Sequence, residues 1–383
     1  MKSPSFLTRP ATRQRHEALA LKLSAIPTAA GREDRVQAFL DGWLASRKAT
    51  LRWKRDADGN LLITSRRQSR KAPIYFTAHL DHPGFVVAEK IDARTVVAEF
   101  RGGVMDPYFE DARVEFFDAD DTIFRGRVQH LETAQPFKRA QIRFSRNAHS
   151  LAKGDVGRWA LPKARLTKKL LKTNACDDLA AVAAALAAFD RIRKRPGTGH
   201  VGVLFTVAEE VGFLGAIGAA RRRFFAKNSR LICLENSRAS ADSPIGAGPV
   251  VRVGDRLSVF SPELTNRVTE LTSSYAKRHP RFAWQRKLMV GGACEATAFA
   301  ALGYQSTCVC LPLGNYHNME HIDEVRAGQR PARVDREFVA TSDFHGLVEL
   351  LEVIAHGLDA PGDDLPSRLI KLRKRNSVVF ARQ

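Results

Sequence analysis

The chain has 383 residues, 44% hydrophobic and 27% charged, enough to bury a large core and divide into two domains rather than stay disordered. Lys+Arg 61 against Asp+Glu 41 gives a net charge of +20, which disfavours cationic partners without specifying a fold. The basic residues are dispersed, with no zinc-finger spacing and no RNA-binding aromatic signature, so they read as a solvated surface and nucleic-acid binding is disfavoured. The five cysteines form no C-x-x-C pair and read as reduced and buried. Met1 to Arg15 is basic, holds Pro4 and Pro10 and does not read as a signal peptide, and no apolar run reaches a membrane span. A cytoplasmic protein without membrane association is the expectation.

Two helices are predicted first, one over His16 to Ser24 and one carrying Val36, Phe39, Leu40 and Trp43. Leu51 to Trp53 and Leu61 to Thr64 flank the turn-rich Asp56 to Asn60 and read as a hairpin. A strand over Ile74 to Thr77 leads to His79 and Asp81. From Val86 to about Leu166 helical periodicity nearly vanishes. Val96 to Phe100, Val114 to Phe117, Ile123 to Val128 and Ala140 to Phe144 read as short strands of a small β-barrel or sandwich, and Gly154-Asp155 starts another.

Helix and strand then alternate. Asp178 to Phe189 reads as an alanine-rich helix, Val201 to Val207 as strand, Gly215 to Phe225 as helix and Leu231 to Leu234 as strand. Leu264 to Ala276 and Ala296 to Leu302 read as helices, Cys308 to Pro312 as strand and Phe338 to Leu358 as the final long helix. The tail from Arg368 to Gln383 is basic and reads as an exposed helix followed by a short strand. The fold class is α/β, a mostly parallel sheet with a small inserted β-barrel-like domain. The boundaries are residues 1-87 and 166-383 for the discontinuous α/β domain and 88-165 for the insert.

Four predicted strands end in metal-ligand side chains: His79 with Asp81, Glu209-Glu210, Glu235, and Asn315-Tyr316-His317. A fifth element places Asp177-Asp178 just ahead of the alanine-rich helix. Ligands of parallel sheets gather at the carboxyl ends of the strands, so five such groups on one edge suggest a two-metal hydrolase. Two divalent metals about 3.5–4 Å apart activate a bridging water and need imidazole and carboxylate ligands, one shared carboxylate and a separate base. His79, His317, Asp177, Glu210 and Glu235 supply ligands, and Glu209 stands beside Glu210. Asp81 is placed to fix the His79 tautomer. Asp178 reads as an N-cap, and His82, His321 and His345 as surface groups or supports outside the ligand set.

The motifs AHLDHPGF, NACDDLAA, LFTVAEEVGFLGA, LICLEN, GAGPVVRVGD and NYHN, in this order, resemble those of the co-catalytic zinc aminopeptidases of clan MH. The similarity is to the glutamyl-aminopeptidase family that includes the tetrahedral (TET) aminopeptidases. It implies a phosphorylase/hydrolase-like metallopeptidase domain that hydrolyses N-terminal residues from peptides with a free N-terminus. Asp177 would bridge the metals, His79 and Glu235 would complete one site, Glu210 and His317 the other, and Glu209 would be the general base. The cofactor would be two divalent ions per chain, zinc first, with cobalt or manganese compatible with nitrogen and oxygen ligands. The early β-type insert implies a homo-oligomer, such as a dodecamer built from dimers.

The chain departs from the family at three places. Glu235 stands where Asp is usual, Ala293-Cys294-Glu295-Ala296 replaces G-T-D-A, and Asn315 precedes Tyr316 where Arg is common. Asp242, in the following loop, competes with Glu235 for the ligand role. Two other functions remain open from sequence: a co-catalytic zinc deacylase or carboxypeptidase, and a noncatalytic basic binding protein on a peptidase scaffold.

Overall fold

A computed structural model describes residues 9–67, 69–361 and 365–380. The chain opens with α1 (Pro10–Leu23) and α2 (Asp34–Ala45). The first begins six residues before the predicted start, because Pro10 at its first turn lacks an N–H that the helix would leave unpaired anyway. An antiparallel hairpin, β1 (Leu51–Arg55) and β2 (Leu61–Ser65), leads to the buried β3 (Ile74–His79).

Six strands follow: β4 (Gly84–Asp92), β5 (Thr95–Arg101), β6 (Arg113–Phe117), β7 (Ile123–Glu132), β8 (Lys138–Phe144) and β9 (Val156–Trp159). They close into an antiparallel barrel in the order β4-β5-β8-β7-β6-β9. Alternating inward residues fill it with aromatic rings. Phe85, Phe100, Phe109 and Trp159 meet edge-on or tilted, with centroids 4.8 to 6.0 Å apart. Gly157 is required there, since a Cβ would lie 2.5 Å from the Phe116 ring.

The chain returns through β10 (Arg165–Leu166) and β11 (Leu170–Thr173) to the α/β layers. These comprise α3 (Leu179–Ile192), β12 (Val201–Thr206), α4 (Leu214–Arg221), β13 (Arg230–Arg238), β14 (Val250–Gly254), α5 (Pro262–Arg278) and β15 (Gln285–Leu288). After them come α6 (Glu295–Ala301), β16 (Gln305–Leu313), α7 (Ile322–Arg326), β17 (Glu337–Ala340), α8 (Thr341–Gly357) and α9 (Leu365–Asn376).

The main sheet runs β1-β2-β12-β3-β13-β16-β14-β15. Its centre, β12-β3-β13-β16, is parallel, and the hairpin and β14 join antiparallel. The parallel strands are apolar on both faces because helices cover both sides. Helix α3 buries nearly its whole surface against the sheet, α1 and α8; only alanine along most of it allows packing on every side.

Further predicted elements differ in the structure. The first residues of the predicted final helix, Phe338 to Ala340, are strand, because β17 pairs antiparallel with β11 before α8 begins. The strand carrying Glu235 does not stop at Leu234 but continues to Arg238, paired throughout with β16. The predicted strand at the end of the tail is instead a 3-10 turn over Ser377–Phe380, and residues 381–383 lie outside the described residues. Among the described residues no helix is long and apolar enough to cross a membrane.

Candidate active site

The carboxyl ends of β3, β12 and β13, the segment before α3 and the turn after β16 meet at one point. Asp177 lies at its centre, with one carboxylate oxygen towards each of two imidazoles. Its Oδ1 is 3.4 Å from His79 Nε2 and its Oδ2 is 3.6 Å from His317 Nε2. Glu235 Oε1 lies 3.9 Å from His79 Nε2, and Glu210 Oε2 lies 3.2 Å from His317 Nε2. Glu209 Oε2 is 4.0 Å from His79 Nε2. All of these but the partly buried Glu210 are buried. Asp242 is exposed in its loop and does not join the cluster.

Each imidazole is turned by its other nitrogen. His79 Nδ1 is 3.2 Å from the Asp81 carbonyl, and His317 Nδ1 is 2.8 Å from the Gly103 carbonyl. A carbonyl only accepts, so each Nδ1 carries the proton and each Nε2 faces the carboxylates. Gly103 follows β5, so the barrel segment contributes to orienting His317. Tyr316 stacks on the same ring, centroids 3.7 Å apart.

The main chain that carries these side chains is held by other buried carboxylates. The strained tip after β12, with Ala208 at φ 51°, donates three N–H groups. Ala208 donates to Glu33 Oε1 at 2.9 Å, and Glu209 and Glu210 donate to Asp81 Oδ1 and Oδ2 at 3.0 Å each. Gly215 lets α4 pack on this tip, since a Cβ there would sit 2.4 Å from the Val207 carbonyl oxygen. Asp81 was expected to fix the His79 tautomer, but its carboxylate is 3.5 Å from Nδ1, farther than its own carbonyl. It chiefly clamps residues 209 and 210. Across the site, Glu337 accepts from Asp177 N–H at 2.9 Å and from His317 N–H at 2.8 Å. That joins the central carboxylate to the turn where Asn315, His317 and Asn318 all have positive φ.

Asp178 stands at the N-cap position of α3, yet its side chain makes no cap bond. It accepts instead from His79 N–H at 3.2 Å and from Asn236 Nδ2 at 2.7 Å. His82 is a buried support rather than a surface group, with Nδ1 2.5 Å from the Asp177 carbonyl and Nε2 3.1 Å from Asn318 Oδ1. His321 is exposed, and His345 is buried elsewhere against Glu17. Glu33, Asn236, Asn318 and Glu337 escaped the sequence reading. All four act through hydrogen bonds to distant segments, which no local pattern encodes.

The charges explain the electrostatics. Burial raises Glu209 and Glu235 well above the usual carboxylate range, with repulsion from Glu235 and Glu210 adding to it at Glu209 and repulsion from Asp177 at Glu235. Against burial, the His317 and His79 rings that face it hold Asp177 well below that range. Burial opposes protonation of both imidazoles, but Glu209 beside His79 and Glu210 beside His317 drive them well above the usual histidine value. Asp177 Oδ1 and Glu210 Oε1 are buried and receive no hydrogen bond. Orphaned carboxylate oxygens and inward-facing imidazole nitrogens form a donor set that fits divalent cations. A cavity of about 590 Å³ near Arg13, Arg278, Asp343 and His345 shares no residue with this cluster.

A family model for the M42 glutamyl aminopeptidases matches residues 59–330. The TET1 peptidase of Pyrococcus horikoshii, described as able to assemble into a tetrahedron or a large octahedral shell, is similar in structure. Its TM-score is 0.71 at 20% identity, covering 90% of this chain and 99% of that one. An aminopeptidase from the archaeon Desulfurococcus kamchatkensis gives a TM-score of 0.71 at 20% identity, over 90% of this chain and 95% of that one. A TET aminopeptidase from the marine sediment archaeon Thaumarchaeota archaeon SCGC AB-539-E09 gives 0.73 at 17% identity, over 91% and 97%. At these identities the likeness establishes the fold. No curated protein matches the chain.

Proposed function

The chain belongs to the M42 glutamyl aminopeptidase family and is a peptide-bond hydrolase, and from that premise we propose which residues perform the reaction. His79, Asp177 and Glu235 would hold one divalent cation, and Asp177, Glu210 and His317 a second. Zinc is the first choice, and cobalt or manganese suits the same donors. The observation that carries this reading is Asp177, which offers one carboxylate oxygen to each imidazole group. Cations bound there would acidify a water and polarise the scissile carbonyl.

The protein's own groups divide the remaining work. Glu209 is not needed as a ligand and stands beside the His79 side of the cluster. Its carboxylate takes the proton of the attacking water and returns it to the departing amine nitrogen. Asp81 and Glu33 fix the main chain that carries it. Glu337 holds Asp177 and His317 in register. The carboxylate-rich basin suits the ammonium group of a free N-terminus, which favours aminopeptidase over deacylase or carboxypeptidase chemistry.

The barrel strands from Gly84 to Trp159 are proposed as a second domain inserted into the catalytic one, and a homo-oligomer, such as a dodecamer built from dimers, as the working form. The decisive experiment is Glu209→Gln. It should keep both metals and lose about 10²–10⁴-fold in kcat, the usual contribution of a general base. Near-normal turnover would remove Glu209 from that role. Paired peptides with free and blocked N-termini decide the substrate class, and cleavage of the blocked series alone would exclude the aminopeptidase reading.

A further inference from the structure

The C-terminal segment carries apolar surface that the fold does not use. Helix α9 and the 3-10 turn after it bury no residue. Leu365, Leu369 and Leu372, at i, i+4 and i+7, form one stripe and are 45%, 55% and 44% exposed. Val378, Val379 and Phe380 follow at 73%, 74% and 74% exposed. Around the stripe stand Arg368, Lys371, Arg373, Lys374 and Arg375, and no acidic residue occurs from Leu365 onward. We propose that this segment docks on an anionic lipid bilayer. The helix would lie in the interfacial plane, with its leucine stripe and Val378-Val379-Phe380 at the acyl boundary and its basic residues among the headgroup phosphates.

Charge and apolarity together select this occupant. The five basic residues around the stripe call for an anionic partner, and an anionic bilayer surface complements them over its whole area. A nucleic acid would pair with the arginines and lysines, but its phosphates offer nothing to the exposed leucines or to Val378, Val379 and Phe380. A bilayer interface accepts both. An exposed ion pair, Arg368 to Glu270 at 3.8 Å, links the basic face to the body and is too weak to compete with a charged surface. Each Lys or Arg beside an anionic surface strengthens binding roughly five-fold. Binding should therefore be reversible and weaken with salt, and it should need both halves of the amphipathic pattern.

The full-length protein is sedimented with vesicles of phosphatidylcholine alone and of phosphatidylcholine mixed with phosphatidylglycerol. Binding to the anionic vesicles should be at least about tenfold tighter. The triple variant Arg373→Gln, Lys374→Gln, Arg375→Gln should lose roughly a hundredfold. Leu369→Asp with Leu372→Asp should lose about tenfold or more. Because α9 buries nothing, both variants keep their fold, and unchanged melting temperature and peptide hydrolysis verify this. Equal binding to neutral vesicles, or full binding by the leucine variant, overturns the proposal. So does tail-dependent binding of a mixed-sequence oligonucleotide without vesicle binding, and so does a change of oligomer size in the leucine variant, which would assign the face to a second copy.

Discussion

Asp81→Asn and Asp81→Ala are expected to rank in an order that separates two roles for this side chain. If Asp81 mainly fixed the His79 tautomer, Asn would be the milder change, because its amide oxygen still accepts from Nδ1–H. The structure argues otherwise. The Asp81 carbonyl already serves Nδ1, while both carboxylate oxygens accept main-chain N–H groups of Glu209 and Glu210 at 3.0 Å. Hydrogen bonds to a charged group contribute about 1.5–3 kcal/mol each, and an unpaired buried N–H costs about 1–3 kcal/mol. Asn keeps one acceptor and turns its NH₂ against the other N–H, so the cost should be about 3–5 kcal/mol. Ala also loses both bonds, but it leaves space for water to pair the freed groups.

Asn should therefore be at least as damaging as Ala, lowering the melting temperature by on the order of 5 °C. A displacement of about 1 Å at Glu209 would lower kcat roughly 10²-fold. Calorimetry, metal analysis and turnover of an aminoacyl substrate measure the three quantities. An Asn variant close to wild type beside a disabled Ala variant would refute the clamp and restore the tautomer role.

Three further outcomes are expected. Glu235→Ala should weaken the cation shared with His79 and Asp177, while the exposed Asp242→Ala leaves both equivalents in metal titration; the reverse result would reassign the ligand. Light scattering should show a large closed oligomer at micromolar protein, and a monomer would defeat the assembly proposal without touching the catalytic one. His16 on α1 is buried near His345, Arg191 and Arg15, and burial with these neighbours lowers its pKa from 6.5 to about 4. A depressed folded pKa means stability that is present above pH 6.5 and lost as pH falls towards 4. His16→Phe should flatten the fall in urea midpoint across that window, and an unchanged slope would discard the idea.

What the sequence made legible was what local chemistry encodes. Val201 to Val207 and Ile74 to Thr77 read as strands because apolar runs of that length, bounded by polar turns, have little else to become. The candidate ligand positions lie where such runs stop. Glu235 shows the limit, because Asn236, Ser237 and Arg238 are polar but still pair with Leu311, Pro312 and Leu313. Pairing across the sheet overrides local polarity at the rim where the site is built. Phe338 to Ala340 shows the same limit, since only β11, far away in sequence, makes those residues a strand.

The supports were illegible for a different reason. Glu33, Asp178 and Glu337 look like ordinary acidic residues beside helices and strands, yet each spends its carboxylate on the main chain of a cluster residue or of the tip after β12. Glu33 accepts from Ala208, Asp178 from His79, and Glu337 from Asp177 and His317. This arrangement places acidic groups outside the inner set of Asp177, Glu209, Glu210 and Glu235, in a basin with two inward imidazoles. Burial, with repulsion from Glu235 and Asp177, pushes Asp178 well above the carboxylate range, and burial with Asp177 does the same to Glu337. Buried charge of one sign is costly unless it is paired. The clamps that make the site rigid thus also crowd further acidic groups around it, at the cost of their charged forms. Divalent cations held by this set would relieve a cost that the fold incurs in building the site.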